Sequence, residues 1–342
     1  MASQFKNGRF LPYKSVMTAL ALLTLFGSVW ALTCGSFPVS VSATWDALSA
    51  WATGAVPSDR TVYSVVINVR FPRIVLALAA GAGLAAAGAG FQALFANPLA
   101  TPDTLGVATG AAFGAVLGIL LGVPAPAVQI MSLAAGLAAG ALVFFVSRVK
   151  GRTSVLMLIL SGLVIAALFS ALISLVKYTA DPQDVLPSIT FWMMGSFTGA
   201  TPAVLSMGLP FIALGAVGLW LLRWKMNALS LPEDEAKSLG IPVGKLRAAV
   251  IVFSTMMTAS VVSMCGLIGW VGLLIPHCAR LMFGADNDKV IPASFLTGAL
   301  FVLAADTVAR SVGELEIPVS ILTAVIGAPL FIVLLRRTGV IN

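Results

Sequence analysis

The stretch AAVIVFSTMMTASVVSMCGLIGWVGLLIPHCARLMF, residues 248–283, decides the architecture of this chain. As one helix it would rise about 54 Å at 1.5 Å per residue, far beyond a hydrocarbon core about 30 Å thick. The glycine-rich CGLIGWVG breaks it midway, so it reads as two crossings, 248–265 and 268–283. One crossing or two sets the parity, and so the side, of everything that follows it.

The rest of the chain fits that reading. Of its 342 residues, 59% are hydrophobic and only 10% charged, with a mean hydropathy of +1.02. A water-facing domain carries about 25% charged residues. Lipid leaves helices and closed barrels as the ways to satisfy the backbone, and long Leu/Ala/Val runs without period-two alternation call for helices. Further runs lie at 15–34, 72–95, 105–121, 127–147, 155–177, 203–222, 290–311 and 318–335. The expectation is an all-α polytopic membrane protein, a single transmembrane domain over residues 1–342 with ten spans.

Ten spans put both termini on one side, and charge selects it. Fifteen of the twenty basic residues fall on the side of Lys6, Arg9 and Lys14, in loops that include Arg148, Lys150, Arg152, Arg223, Lys225, Lys237, Lys245, Arg247, Arg280 and Lys289, and at Arg336 and Arg337. Arg60, Arg70, Arg73, Lys177 and Arg310 fall opposite. The positive-inside rule makes both ends cytoplasmic. A single span in 248–283 would send Arg336 and Arg337 outside. The formal charge of +7 is scattered over loops, which argues against nucleic acid as a partner. The start of the chain imitates a secretion signal, and ALTC imitates a lipoprotein cleavage site. Thr33 suits that site poorly, so an uncleaved first helix is expected.

Between spans two and three, FANPLATPDTLGVATGA (95–111) reads as a tight cytoplasmic turn. Pro98 and Pro102 end one helix, and Asp103 caps the next from Thr104. Gly106, Gly110, Gly114, Gly118 and Gly122 then form a stripe that lets a neighbouring helix approach closely.

Catalytic chemistry is absent from this pattern, and the chain is expected not to be an enzyme. His277 stands alone, and Cys34, Cys265 and Cys278 lack metal-ligand spacing and read as packing residues. Asp306 is the one acid placed within a span, with Arg310 one turn later as an i,i+4 partner. Ion-coupled carriers draw on buried ionisable groups, which are nearly missing here. GIPVGK (240–245) is not a phosphate loop: it has three residues between its glycines, and Leu246 stands where Ser or Thr should hold magnesium. The energy source is therefore expected in a separate protein.

Three polar segments carry the remaining signal. LSLPEDEAKSLGIPVGKLR (229–247) starts a short helix at Pro232, with Glu233, Asp234 and Glu235 at the positive dipole end; Ala236, Leu239 and Ile241 would be offered to a partner. Residues 184–202 read as a short interfacial helix over a pore mouth, with Trp192 at headgroup level. Arg70, Arg73 and Arg310 are interfacial anchors or a basic outer surface for an acidic partner.

VRFPRIVLALAAGAGLAAAGAGFQALFANPLATPDTLGVATGA, FWMMGSF, LSLPEDEAKSLGIP, GLIGWVGLLIPHCARL and EIPVSILTAVIGAPLFIVLL occur in that order, and together they resemble the FecCD or BtuC-like permeases of bacterial ABC importers for iron(III)-siderophores, haem and cobalamin. The resemblance runs from about residue 60 to 337. It implies ten helices in the type II importer fold, with spans two to five and seven to ten as an inverted repeat, in the bacterial inner membrane. It implies a homodimer or a pair with a close paralogue, two cytosolic ATPase subunits that hydrolyse ATP with Mg, an extracytoplasmic binding protein, and no cofactor bound by this chain.

It also assigns residues. Glu233, Ala236, Leu239 and Gly240 would couple to the ATPase; Arg70, Arg73 and Arg310 would grip acidic residues of the binding protein; Val155, Leu156, Trp192 and Met193 would form the gate and pore. RTSVL is offset from the Thr-Ser gate pair of cobalamin permeases, which weighs against cobalamin. A ferric siderophore leads as cargo, followed by haem, cobalamin, then molybdate or tungstate. An ion-coupled carrier and a membrane-embedded enzyme are the competing classes.

Overall fold

The computed structural model describes residues 12–149, 152–313 and 316–337. Lys6, Arg9 and Lys150 of the charge tally lie outside them. The described residues form fourteen α-helices and one two-residue hairpin, β1 (Arg148–Val149) with β2 (Arg152–Thr153). Each of the ten expected spans falls on a helix: α1 (Tyr13–Thr33), α4 (Phe71–Leu94), α5 (Val107–Leu120), α6 (Ala125–Val146), α7 (Val155–Thr179), α9 (Pro202–Leu222), α11 (Val243–Cys265), α12 (Val271–Phe283), α13 (Asn287–Ala309) and α14 (Val319–Arg337). Seven helices are long and apolar enough to cross a membrane; α5, α12 and α14 are shorter apolar helices. Two short helices, α8 (Val185–Met193) and α10 (Glu233–Ser238), occupy the segments expected to hold them.

α4 is the central post, buried along nearly its whole length. Glycines let its neighbours lie backbone to backbone, because a Cβ at Gly81 would collide with the Gly298 carbonyl of α13, and one at Gly88 with the Gly272 carbonyl of α12. The stripe on α5 works the same way against α6: a Cβ on Gly110, Gly114 or Gly118 would press on Ala139, Met131 or Val128. Gly106 and Gly122 instead take positive φ at the two ends of α5. In lipid, where apolar surface gives helices no reason to associate, such close packing is what holds a bundle together.

Two features depart from expectation and one matches it. Before α4, residues 36–70 carry α2 (Val41–Thr53), α3 (Arg60–Tyr63) and a π-helical stretch Ser64–Arg70 that runs directly into α4. The break in 248–283 is as read: α11 stops at Cys265, Gly266 takes φ 74°, and α12 restarts after Trp270. Segment 95–106, however, is a surface turn only over residues 96–99, which are exposed. After Ala96, it folds into a 3-10 turn, Pro102–Leu105, whose Pro102 and Leu105 are buried. The Thr104 carbonyl packs against Gly162 of α7, and Gly106 lies against Ala166 one turn further along. The chain dips back into the bundle. Its cap is Thr101 with Thr104 in a reciprocal capping box, not Asp103.

Candidate functional site: a cavity at two broken helices

The two interruptions meet. The re-entrant turn supplies Thr101, Pro102 and Asp103, and the α11–α12 break supplies Leu267, Gly269 and Trp270, to the wall of one cavity of about 370 Å³. Non-helical backbone is tolerated at membrane depth only where it is buried or lines a cavity, and both segments satisfy that condition. The Thr109 and Thr258 side chains line it from α5 and α11. Trp270 adopts φ 70°, a left-handed conformation unusual for a bulky residue. Gly327 of α14 makes room for it, since a Cβ there would lie 2.9 Å from the Trp270 Cβ.

α8 closes over this region. Trp192, partly buried, packs against Ala108, Ala111 and Val262. Met193 lies with Val116, Val176 and Ile189. The end of α8 is stapled to the break and to α14: Ser196 N donates to the Cys265 carbonyl at 2.9 Å, Val319 N to Gly195 at 3.2 Å, and Ser320 Oγ to Met194 at 2.6 Å. Val155 and Leu156 are not brought here. They begin α7, at the end remote from α8, with Val155 against the core and Leu156 65% exposed.

The three arginines do not form an outer surface. Arg70, Arg73 and Arg310 are only 4%, 5% and 4% exposed. Arg73 holds Asp306 through Nε and Nη2 at 2.8–3.2 Å and Glu316 through Nη1 at 2.8 Å. The expected Arg310–Asp306 pair is present but longer, 3.5 Å from Nε to Oδ2. Arg70 donates to the carbonyls of Leu32 and Phe37, and Arg310 to those of Ala31 and Cys34. A charge without such partners would be too costly to bury, so the cluster ties the end of α1 to α4 and α13.

At the opposite end of α4, the loop that carries α10 is folded onto the bundle. α10 starts after Pro232 as expected and ends in a Schellman turn: Ile241 N donates to the Ala236 carbonyl and Gly240 N to that of Lys237, with Gly240 at φ 73°. Ala236 is fully buried and Ile241 packs on the core, so neither is offered to a partner; Leu239, 65% exposed, and Gly240 are. Glu233 opens the helix, and its side chain lies outside the described residues.

A multi-helix membrane bundle with an internal cavity at two broken helices, and a short exposed helix on one loop, has the build of a transporter's membrane subunit. The sequence profile of the FecCD transport family matches residues 22–337, and the chain belongs to that family. It is 43% identical over 331 residues to the molybdate import system permease protein MolB of Haemophilus influenzae, covering 96% of this chain and 98% of that one. It is 31% identical to the hemin transport system permease protein HmuU of Yersinia pestis, over 97% and 98% of the two chains. A solved inward-facing structure described as a metal-chelate type ABC transporter superposes with a TM-score of 0.86 at 40% identity, over 95% of this chain and all of that one. The chain is a multi-pass membrane permease and not an enzyme.

Proposed function

We propose that this chain is the permease subunit of an ATP-driven importer, crossing the bacterial inner membrane ten times with both termini cytoplasmic, and working as a dimer of two such chains. Two cytosolic ATPases dock on the loop around Leu239 and Gly240, and an extracytoplasmic binding protein delivers cargo at the end carrying Arg70, Arg73 and Arg310. Spans two to five and seven to ten form an inverted repeat, each with its own interruption, at 95–106 and 266–270. ATP and magnesium act in the ATPases; this chain binds neither.

The cargo is a metal-containing solute. The observation that carries the first choice is the full-length likeness to a molybdate permease, which moves a molybdate-class oxyanion ahead of the ferric siderophore that the motifs alone favour. The second reading, an iron chelate, is supported by the superposition on a metal-chelate type transporter. The test is uptake in cells lacking their own permeases, with this chain expressed beside its ATPase and binding protein. Labelled molybdate, a ferric siderophore, haem and cobalamin are offered in turn. Accumulation of molybdate alone supports the first choice; accumulation of the siderophore alone replaces it with the second.

A further inference from the structure

The buried polar groups at the cytoplasmic end form a chain that the transport reading does not use. Asn227 lies two turns before α10, in the 3-10 stretch Lys225–Ser230 whose Met226, Ala228 and Leu229 are buried. Both ends of its amide are engaged with the start of α13: Nδ2 donates to Asp286 Oδ1 and Oδ1 accepts from Asn287 N, each at 2.8 Å. Asn287, only 5% exposed, accepts through Oδ1 from Arg280 Nη2 of α12 at 3.3 Å. Arg280 Nε then donates to Gln92 Oε1 of α4 at 3.3 Å, and Gln92 Nε2 donates to the Leu273 carbonyl at 3.2 Å. Leu273 lines the cavity.

The electrostatics of this path are unusual. The four hydrogen bonds of Arg280 all go to uncharged oxygens, those of Gln92, Asn287, Ala89 and Ala285. A half-buried guanidinium without a carboxylate among the described residues is held by the negative ends of the two helices it bridges, since Arg280 lies in the last turn of α12 and donates to the Ala89 carbonyl near the end of α4. Such bonds are directional, and each loses its partner if one helix end moves relative to the others. A contact made only by apolar side chains would slide.

We propose that Asn227, Arg280 and Gln92 are positioning residues that pass displacement of the α10 loop to the cavity wall at Leu273. The proposal rests on the reading that the ATPase docks on that loop. Asn227 does not line the cavity; it acts through Asn287 and Arg280. The four-residue path, Asn227, Asn287, Arg280 and Gln92, runs through α13, α12 and α4, so motion of the loop reaches the break at 266–270 without needing α11 to bend.

The test uses the full permease–ATPase complex in nanodiscs, with Cys34, Cys265 and Cys278 replaced by serine and a Thr109→Cys reporter on the cavity wall. Maleimide labelling is measured before and after trapping with ATP and vanadate. In the parent, trapping changes the labelling rate by about fivefold or more, the lower end of site-to-site coupling. Asn227→Ala keeps ATPase co-purification and ATP hydrolysis, but its labelling responds by less than about twofold. Gln92→Met, far from the loop and similar in volume, gives the same uncoupled result. The exchange Asn227→Asp with Asp286→Asn reverses donor and acceptor while keeping an amide or carboxylate cap on α13, and restores the response. The relay is overturned if Asn227→Ala and Gln92→Met respond like the parent, or if the exchange does no better than Asn227→Ala. A parent that fails to co-purify with the ATPase overturns the docking reading itself, and the relay with it.

Discussion

Replacing Asp306 with asparagine tests what the buried arginine cluster is for. Asp306 is fully buried and accepts three hydrogen bonds from Arg73. The cluster holds three guanidiniums against two carboxylates, Asp306 and Glu316, and main-chain carbonyls of residues 31–37 accept from Arg70 and Arg310. Asp306→Asn leaves Arg73 and Arg310 facing each other with Glu316 alone, and Glu316 is 35% exposed and screened. Stranding a buried partner costs about 3–5 kcal/mol. Glu316→Gln, at the partly exposed pair, costs about 1 kcal/mol or less. The assay is thermal unfolding of the purified permease in detergent. At about 2–4 °C per kcal/mol, Asp306→Asn should lower the midpoint by on the order of 10 °C and Glu316→Gln by a few degrees. Adding Arg73→Met to Asp306→Asn removes the stranded charge and should recover part of the loss. Equal midpoints for Asp306→Asn and the parent would refute the reasoning. Transport that stays absent in a fully stabilised Asp306→Asn, Arg73→Met variant would revive an ion-coupled role for Asp306.

Three further outcomes are expected. Gly88→Val places a side chain on the Gly272 carbonyl; overpacking of about 1–3 kcal/mol or more should appear as loss of monodisperse protein on size-exclusion chromatography, whereas Gly199→Ala, with open space around it, should behave as the parent. Ala96 sits at φ 47°, so Ala96→Gly should raise the unfolding midpoint, the left-handed conformation costing a non-glycine residue about 1 kcal/mol. Leu239→Asp, at the exposed tip of the α10 loop, should abolish ATPase co-purification while leaving the permease's own midpoint within a few degrees, because that side chain is 65% exposed.

The ten helices were legible because each is a long apolar run, and the break at 266–270 because its glycines fall where one crossing ends. The rest was hidden for identifiable reasons. Residues 41–53 mix tryptophan, serine and alanine without a span-length run, so α2 left no clear signal. FANPLATPDTLG uses proline, asparagine, aspartate and glycine, and that chemistry serves a surface turn and a re-entrant one equally; what makes it re-entrant is Gly162 on α7, some sixty residues on. The arginines were read as outward because they flank span ends, while the carboxylate that holds Arg73 is 233 positions away. Asn227 and Gln92 carry no local pattern at all. Only the meeting of α4, α12, α13 and the loop gives them partners.

On the proposed function, ATP hydrolysed by a partner drives this permease through its α10 loop. The most direct measurement is uptake of labelled molybdate, and separately of a ferric chelate, into proteoliposomes holding the permease, its ATPase and its binding protein. Uptake is expected with ATP, none with a non-hydrolysable analogue, and none with a proton or sodium gradient alone. Uptake driven by an ion gradient in vesicles without the ATPase would contradict it.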